Sequence, residues 1–291
     1  MSSSGVCLDI AVDHRIERLF IAVQLPVGTA LPDSDNDEAF DDIADFTAHH
    51  IRALDSNEIN VTKRLAGPYG VTGGILVMLQ QPAEDHQFQK GTAATVRECM
   101  TLKELHNTFH TVSRGTVGIA DINVLDITPF VRPSDGKDLN PSVREGLQHH
   151  VLKTVKERKP AVVMCASRSY ETAGPLKCFA GLGVGKTIFE RHNAEGDQPF
   201  KVNAFHPSYA LNFYPWDPDC RQLLLLEAIH VCRRWSGDWV EEDWMLELRE
   251  RCRVSSETRY GICYPFRKFY WIRLTLLQLR MHTRGVPLKV I

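Results

Sequence analysis

The chain of 291 residues contains no Cys-X-X-Cys pair; its eight cysteines, Cys7, Cys99, Cys165, Cys178, Cys220, Cys232, Cys252 and Cys263, stand singly. That spacing excludes the usual zinc and dithiol redox motifs and predicts reduced core or surface thiols. No charge-free apolar run reaches the ~18 residues that a membrane span needs. No opening segment joins a basic start to an apolar run and a small-residue cleavage site. The expectation is an intracellular protein of the nucleus or cytoplasm without membrane contact. An excess of one charge is missing as well, since 34 Lys and Arg face 36 Asp and Glu. The balance hides an asymmetry: Asp33 to Glu58 is crowded with acids, whereas Arg249 to Lys289 holds ten Lys or Arg against Glu250 and Glu257. Apolar residues at 43% and charged residues at 24% lie near globular averages, which excludes a disordered or fibrous class for most of the length.

The length allows one large domain or two small ones. Three regions are predicted: an acidic, helical lead-in over 1–65, an α/β core over 66–235, and a basic, aromatic extension over 236–291. In the lead-in, Phe40, Ile43, Ala44, Thr47, Ile51 and Leu54 recur at three- and four-residue spacing, the mark of an amphipathic helix from Asp37 to Leu54. Gly73 to Leu79 is a short continuous apolar run ending at Gln80-Gln81-Pro82, the pattern of a strand buried on both faces. Val117 to Val124 supplies a second run, weakened by Gly118. Pro160 to Ala166 is a third, and Phe200 to Phe205, ending at His206-Pro207-Ser208, is a fourth. Helices are expected from Ser142 to Lys156, with Ser142 as its cap, and from Asp219 to Trp235.

Strands alternating with helices imply βαβ crossovers, so the predicted fold is α/β: a three-layer sandwich around a central, mostly parallel four-stranded sheet. In such sheets functional loops gather at the carboxyl ends of the strands. Gln80-Gln81-Pro82, Asp121 to Asp126, Ser167-Arg168-Ser169-Tyr170 and His206-Pro207-Ser208 each follow or close an apolar run. Four loops are thereby expected to converge on one cleft.

In order and context these segments resemble the uracil-DNA glycosylase superfamily, over roughly Gly67 to Trp235. There a first strand ends in Gly-Gln-Asp-Pro-Tyr-His and a last strand in His-Pro-Ser-Pro-Leu-Ser; here the corresponding stretches are Gln80-Gln81-Pro82-Ala83-Glu84 and His206-Pro207-Ser208-Tyr209-Ala210-Leu211. The resemblance implies an enzyme that extrudes a base from DNA into a pocket and breaks its N-glycosidic bond with water, using no metal and no cofactor. It implies that His206 donates a hydrogen bond to the departing base anion, and that Ser208 holds a phosphate oxygen. Gln80 and Pro82 would lie beside the base, Asn123 or Asp121 would read its edge, and DNA would be the partner. Gln81 stands where many members carry the aspartate that activates water, and a neutral amide cannot accept that proton. Gln81, or a neighbouring carboxylate such as Asp85, would have to serve. Ala210 stands at the position of the leucine that wedges into the vacated stack, with Tyr209 or Leu211 as substitutes.

Two other readings stay open. A catalytically silent relative would bind nucleic acid or a protein through the same cleft. A nucleotide-binding protein would use Ala180-Gly181-Leu182-Gly183-Val184-Gly185-Lys186-Thr187, which satisfies a loose phosphate-loop pattern, although no apolar-faced helix pattern follows and a glycine-rich surface loop fits the context better. Glu241-Glu242-Asp243 reads as a solvated helix face rather than a glycosidase pair, and His49-His50 and His149-His150 lack partners at metal-ligand spacing. From Tyr260 to Arg273 aromatics alternate with Arg267, Lys268 and Arg273, as in packing segments, in tails, or in nucleic-acid contact.

Overall fold

A computed structural model describes residues 12–25, 37–67, 72–84, 86–136, 139–167, 174–186, 199–210 and 218–258. Its centre is a four-stranded sheet of β1 (Ile75–Leu79), β2 (Asn123–Asp126), β3 (Val162–Cys165) and β4 (Phe200–Asn203). The strand order is β2-β1-β3-β4 and every pairing is parallel. The expected α/β sandwich is therefore present, with a sheet wholly rather than mostly parallel.

Alternation along β1 shows how the layers form. Ile75, Val77 and Leu79 point to one face, where α5 (Met100–Val112) supplies Leu102, Leu105, Phe109 and Val112, and α8 (Pro218–Ser236) supplies Leu223 to Leu226. Leu76 and Met78 point to the other face, against Phe40, Ile43 and Ala44 of α2 (Glu38–His50) and Leu147, Val151 and Val155 of α7 (Pro141–Arg158). All five residues of β1 are buried, which is why its sequence is apolar at every position. The chain leaves β1 for β2 by way of α4 (Thr92–Glu98) and α5 on one face, then crosses to β3 by way of α7 on the other. That reversal around β1 opens a crevice at the carboxyl ends of the strands.

The ends of the described chain belong to the same core. Ile16 and Val23 join the α5/α8 face, as do Trp239, Met245, Leu248 and Cys252 of the segment leading into and forming helix α9 (243–258). Cover from α1 (His14–Glu17) and α9 buries α8 all round, from Cys220 to Cys232, whereas its sequence suggested a single buried face. Two buried ion pairs tie neighbouring helices together: Arg158 of α7 with Asp37, the cap of α2, and Arg249 of α9 with Glu227 of α8.

Local chemistry moves several expected boundaries. Helix α2 begins at its cap Asp37 as anticipated but ends at His50, because Arg52 turns to donate to the Phe130 carbonyl. Helix α7 starts earlier than expected: Asn140 is the cap, Pro141 takes the first helical position, and Ser142 donates its N–H to Asn140 Oδ1 at 2.9 Å. The largest shift is in the second strand. Val117, Ile119 and Ile122 are buried, but in turns; Gly118 N donates to Asp121 Oδ2 at 2.7 Å and Asp121 N to the Gly118 carbonyl at 3.0 Å. The ladder begins only at Asn123 and runs to Asp126.

Candidate functional site

A cavity of about 360 Å³ lies at the carboxyl ends of β1 and β2, at the small end of the roughly 300–1,000 Å³ common for ligand pockets. Leu79, Leu102, Val124, Leu65 and Phe88 supply apolar wall. The polar groups on it are Gln80, Gln81, His86, Cys99, Thr62, Thr101, Asp126, His206 and Ser208. Gln80 through Ala83 leave β1 as a loop along one side, and His206 with Ser208 arrive from β4 more than a hundred residues later.

Each wall is fixed by hydrogen bonds. The Gln80 carbonyl accepts from both Thr128 N and Thr128 Oγ1 at 3.2 Å, which locks the turn after β1 to the turn after β2. Glu84 accepts from Ser134 Oγ at 2.6 Å and Ser134 N at 3.1 Å, anchoring the same loop to α6 (Pro133–Gly136), whose Pro133 closes part of the cavity. Behind α6, Arg52 pairs with buried Glu58 and with Asp135 at 3.2 Å, and it holds the Phe130 carbonyl at 2.9 and 3.1 Å.

His206 is oriented by the residue two positions on. Ser208 N donates to His206 Nδ1 at 3.3 Å, and Ser208 Oγ lies 2.7 Å from the same nitrogen. A backbone N–H can only donate, so Nδ1 is the acceptor and the neutral ring carries its proton on Nε2. Asp126 differs in kind. Asp126 is half-buried on the cavity wall, and desolvation there pushes its pKa up to about 7. Among the described residues no ion pair or hydrogen bond reaches it to offset that cost.

Of the residues anticipated from sequence, Gln80, Gln81, Pro82, His206 and Ser208 meet at this cavity. Asp121 and Asn123 do not: Asp121 closes the Gly118 turn, and Asn123 opens β2 at the far end, its side chain packed against Gly67 where an added Cβ would meet Oδ1 at 1.7 Å. The strand starts later than its apolar run suggested, so the β2 residue at the mouth is Asp126, with Leu79 its partner across the ladder. The acid closing Val124-Leu125-Asp126 was the available signal. Tyr209 packs against the hydrophobic core and Ala210 is fully buried, because the turn at 207–210 winds back onto the sheet. Asp85, Arg168 to Tyr170, Leu211 and the Tyr260–Arg273 stretch lie outside the described residues.

The competing motifs find other uses. The Ala180–Lys186 loop follows a 3-10 helix (Gly174–Phe179), not a strand. Its Gly181 lies so close to the end of β3 that a Cβ would sit 2.3 Å from the Ser167 carbonyl, and Gly181 N donates to Ser167 Oγ at 3.2 Å. Gly181 therefore serves close packing against the end of β3. Glu241 accepts from the Trp239 indole at 3.0 Å and Glu242 from the Trp244 indole at 2.8 Å. His50 and His150 pack on the ring of Phe46 at 4.5 and 5.0 Å. Among the described residues no group of three or more His, Cys, Asp or Glu is arranged to hold a metal ion. No protein-family model and no curated protein matches this chain.

Proposed function

We propose that the cavity receives a nucleobase swung out of DNA, and that the protein hydrolyses the N-glycosidic bond of a uracil-type or damaged base. One observation carries the reading: His206 and the Gln80–Pro82 loop, from opposite ends of the core, line one small cavity together with Asp126. Bond cleavage leaves positive charge on the sugar and negative charge on the base. With Nδ1 accepting from Ser208, His206 presents Nε2–H as the donor such an anion needs, an interaction of roughly 3 kcal/mol in comparable sites. Gln81 cannot take a proton from water. Asp126 can, and a carboxyl titrating near neutrality suits general-base work or contact with the base edge.

Incubation with duplexes carrying uracil, hypoxanthine or hydroxymethyluracil tests the proposal. Release of one base is expected, reduced about 100-fold or more by His206→Ala. No abasic product from any of them would overturn it. A second reading, base or nucleic-acid binding without excision, draws support from Gln81 and from Ala210, which is buried in the core rather than projecting as a wedge. It predicts duplex binding that survives His206→Ala, with no base released from any substrate.

A further inference from the structure

The cavity holds a second pair of groups that base excision does not use. His86 Nε2 lies 3.2 Å from Cys99 Sγ, and both residues line the wall. Cys99 occupies the break between two helices. Its N–H bonds back to the Thr95 carbonyl at 2.9 Å, its carbonyl accepts from Lys103 N at 2.9 Å, and its backbone caps the N-terminus of the 13-residue α5. The sulfur makes no capping hydrogen bond to that helix. An imidazole within hydrogen-bond reach and the positive end of a helix dipole both favour a thiolate over a thiol. The ring of His86 is steadied edge-on to Phe88, with centroids 5.3 Å apart, and its backbone N–H reaches the Ala83 carbonyl.

The other described cysteines lack this combination. Cys165, Cys220, Cys232 and Cys252 are buried, and burial pushes the Cys232 thiol up to about 12. Cys178 is exposed on the 3-10 helix and is absent from the cavity wall.

We propose that His86 and Cys99 form a nucleophilic pair that captures small carbon electrophiles of the α,β-unsaturated carbonyl class when they enter the cavity. The imidazole takes the thiol proton, and the thiolate sulfur bonds to the β-carbon. The carbon–carbon π pair moves onto the α-carbon, which takes the proton back from the imidazolium. One carbon–sulfur and one carbon–hydrogen bond form, one π bond and the S–H bond are lost, and no other reactant is consumed. Among the described residues, the remaining titratable groups lining the cavity are Asp126 and His206; beside Cys99 in sequence, Glu98 is engaged by Lys90 at 3.0 Å and Arg97 at 3.7 Å.

Acrylamide, small enough for the cavity, is the probe. The full chain is labelled for timed intervals and each cysteine is quantified by peptide mass spectrometry. At about pH 6.5 Cys99 is expected to react about 10-fold faster than exposed Cys178, with the ratio shrinking toward about pH 9 as ordinary thiols ionise. His86→Gln should slow Cys99 about 10-fold at the lower pH and leave Cys178 unchanged. Equal or slower labelling of Cys99 than Cys178 near pH 6.5 in the unaltered chain overturns the proposal, whatever the fate of the variant. So does an undiminished Cys99 rate in a folded His86→Gln protein. Base release plays no part in the readout, so failure here leaves the proposed excision activity standing, and the reverse holds.

Discussion

Asp37 and Asp126 are both acids set into the interior of one fold, and they are treated in opposite ways. Asp37, 2% exposed, caps α2 and pairs with Arg158, itself 3% exposed, so its charge is met on the spot. Asp126 sits at the end of β2 with no such partner among the described residues, and its proton is held until near neutral pH. The first arrangement locks two helices together. The second leaves a carboxyl poised between two protonation states on the wall of a cavity, which has no structural benefit and is the condition in which acids do chemistry. The Glu227–Arg249 pair repeats the first pattern between α8 and α9.

That contrast is open to attack, beginning with the largest effect. Arg158→Met should strand the Asp37 charge and cost about 3–5 kcal/mol of stability, measured by denaturant unfolding, while the double change with Asp37→Leu should recover most of the loss. If the single change is harmless, Asp37 is no better paired than Asp126. Asp126→Asn should do the reverse and raise stability by roughly 2–4 kcal/mol above about pH 8, where the unaltered chain must bury a carboxylate. The sign follows from proton binding. The folded chain holds this proton to higher pH than the unfolded chain does, so the stabilising contribution is complete below about pH 4 and is lost as pH rises through about 7. The difference between the two proteins should therefore grow across that window; a constant difference would sink the assignment.

Smaller effects test the scaffold around the pair. Gly181→Ala should cost about 1–3 kcal/mol, because its Cβ would press on the Ser167 and Cys165 carbonyls at 2.3 and 2.8 Å. Ser134→Ala removes an exposed anchor of Glu84 and should change stability by no more than about 0.5 kcal/mol. A larger loss there would mean that the loop carrying Gln81 depends on α6 more than its exposure implies.

β1 and β3 were legible as continuous apolar runs, since a strand buried on both faces admits few polar residues; β4, with Lys201 and Asn203, was placed by the apolar residues around it and the His206-Pro207-Ser208 that follows. The run at 117–124 misled for a physical reason: hydrophobicity reports burial, and Val117, Ile119 and Ile122 are buried in turns that never join the ladder. Because the strand begins later than the apolar run suggested, Asp126 rather than Asp121 or Asn123 lines the cavity. His206 and Gln80 to Pro82 meet at the cavity because each directly follows a strand whose end the apolar run located.

Apolar patterning by itself determined the layered α/β class, the parallel sheet and the residues at three strand tips, because those features follow from local alternation and from which segments must leave water. Tertiary structure alone decided that Asp126 faces a cavity without a counter-charge among the described residues, that Cys99 meets His86, and that Asp37 meets Arg158. Such meetings depend on how elements distant in the chain are superposed, and a change of one residue in strand register is enough to turn a side chain from cavity to core.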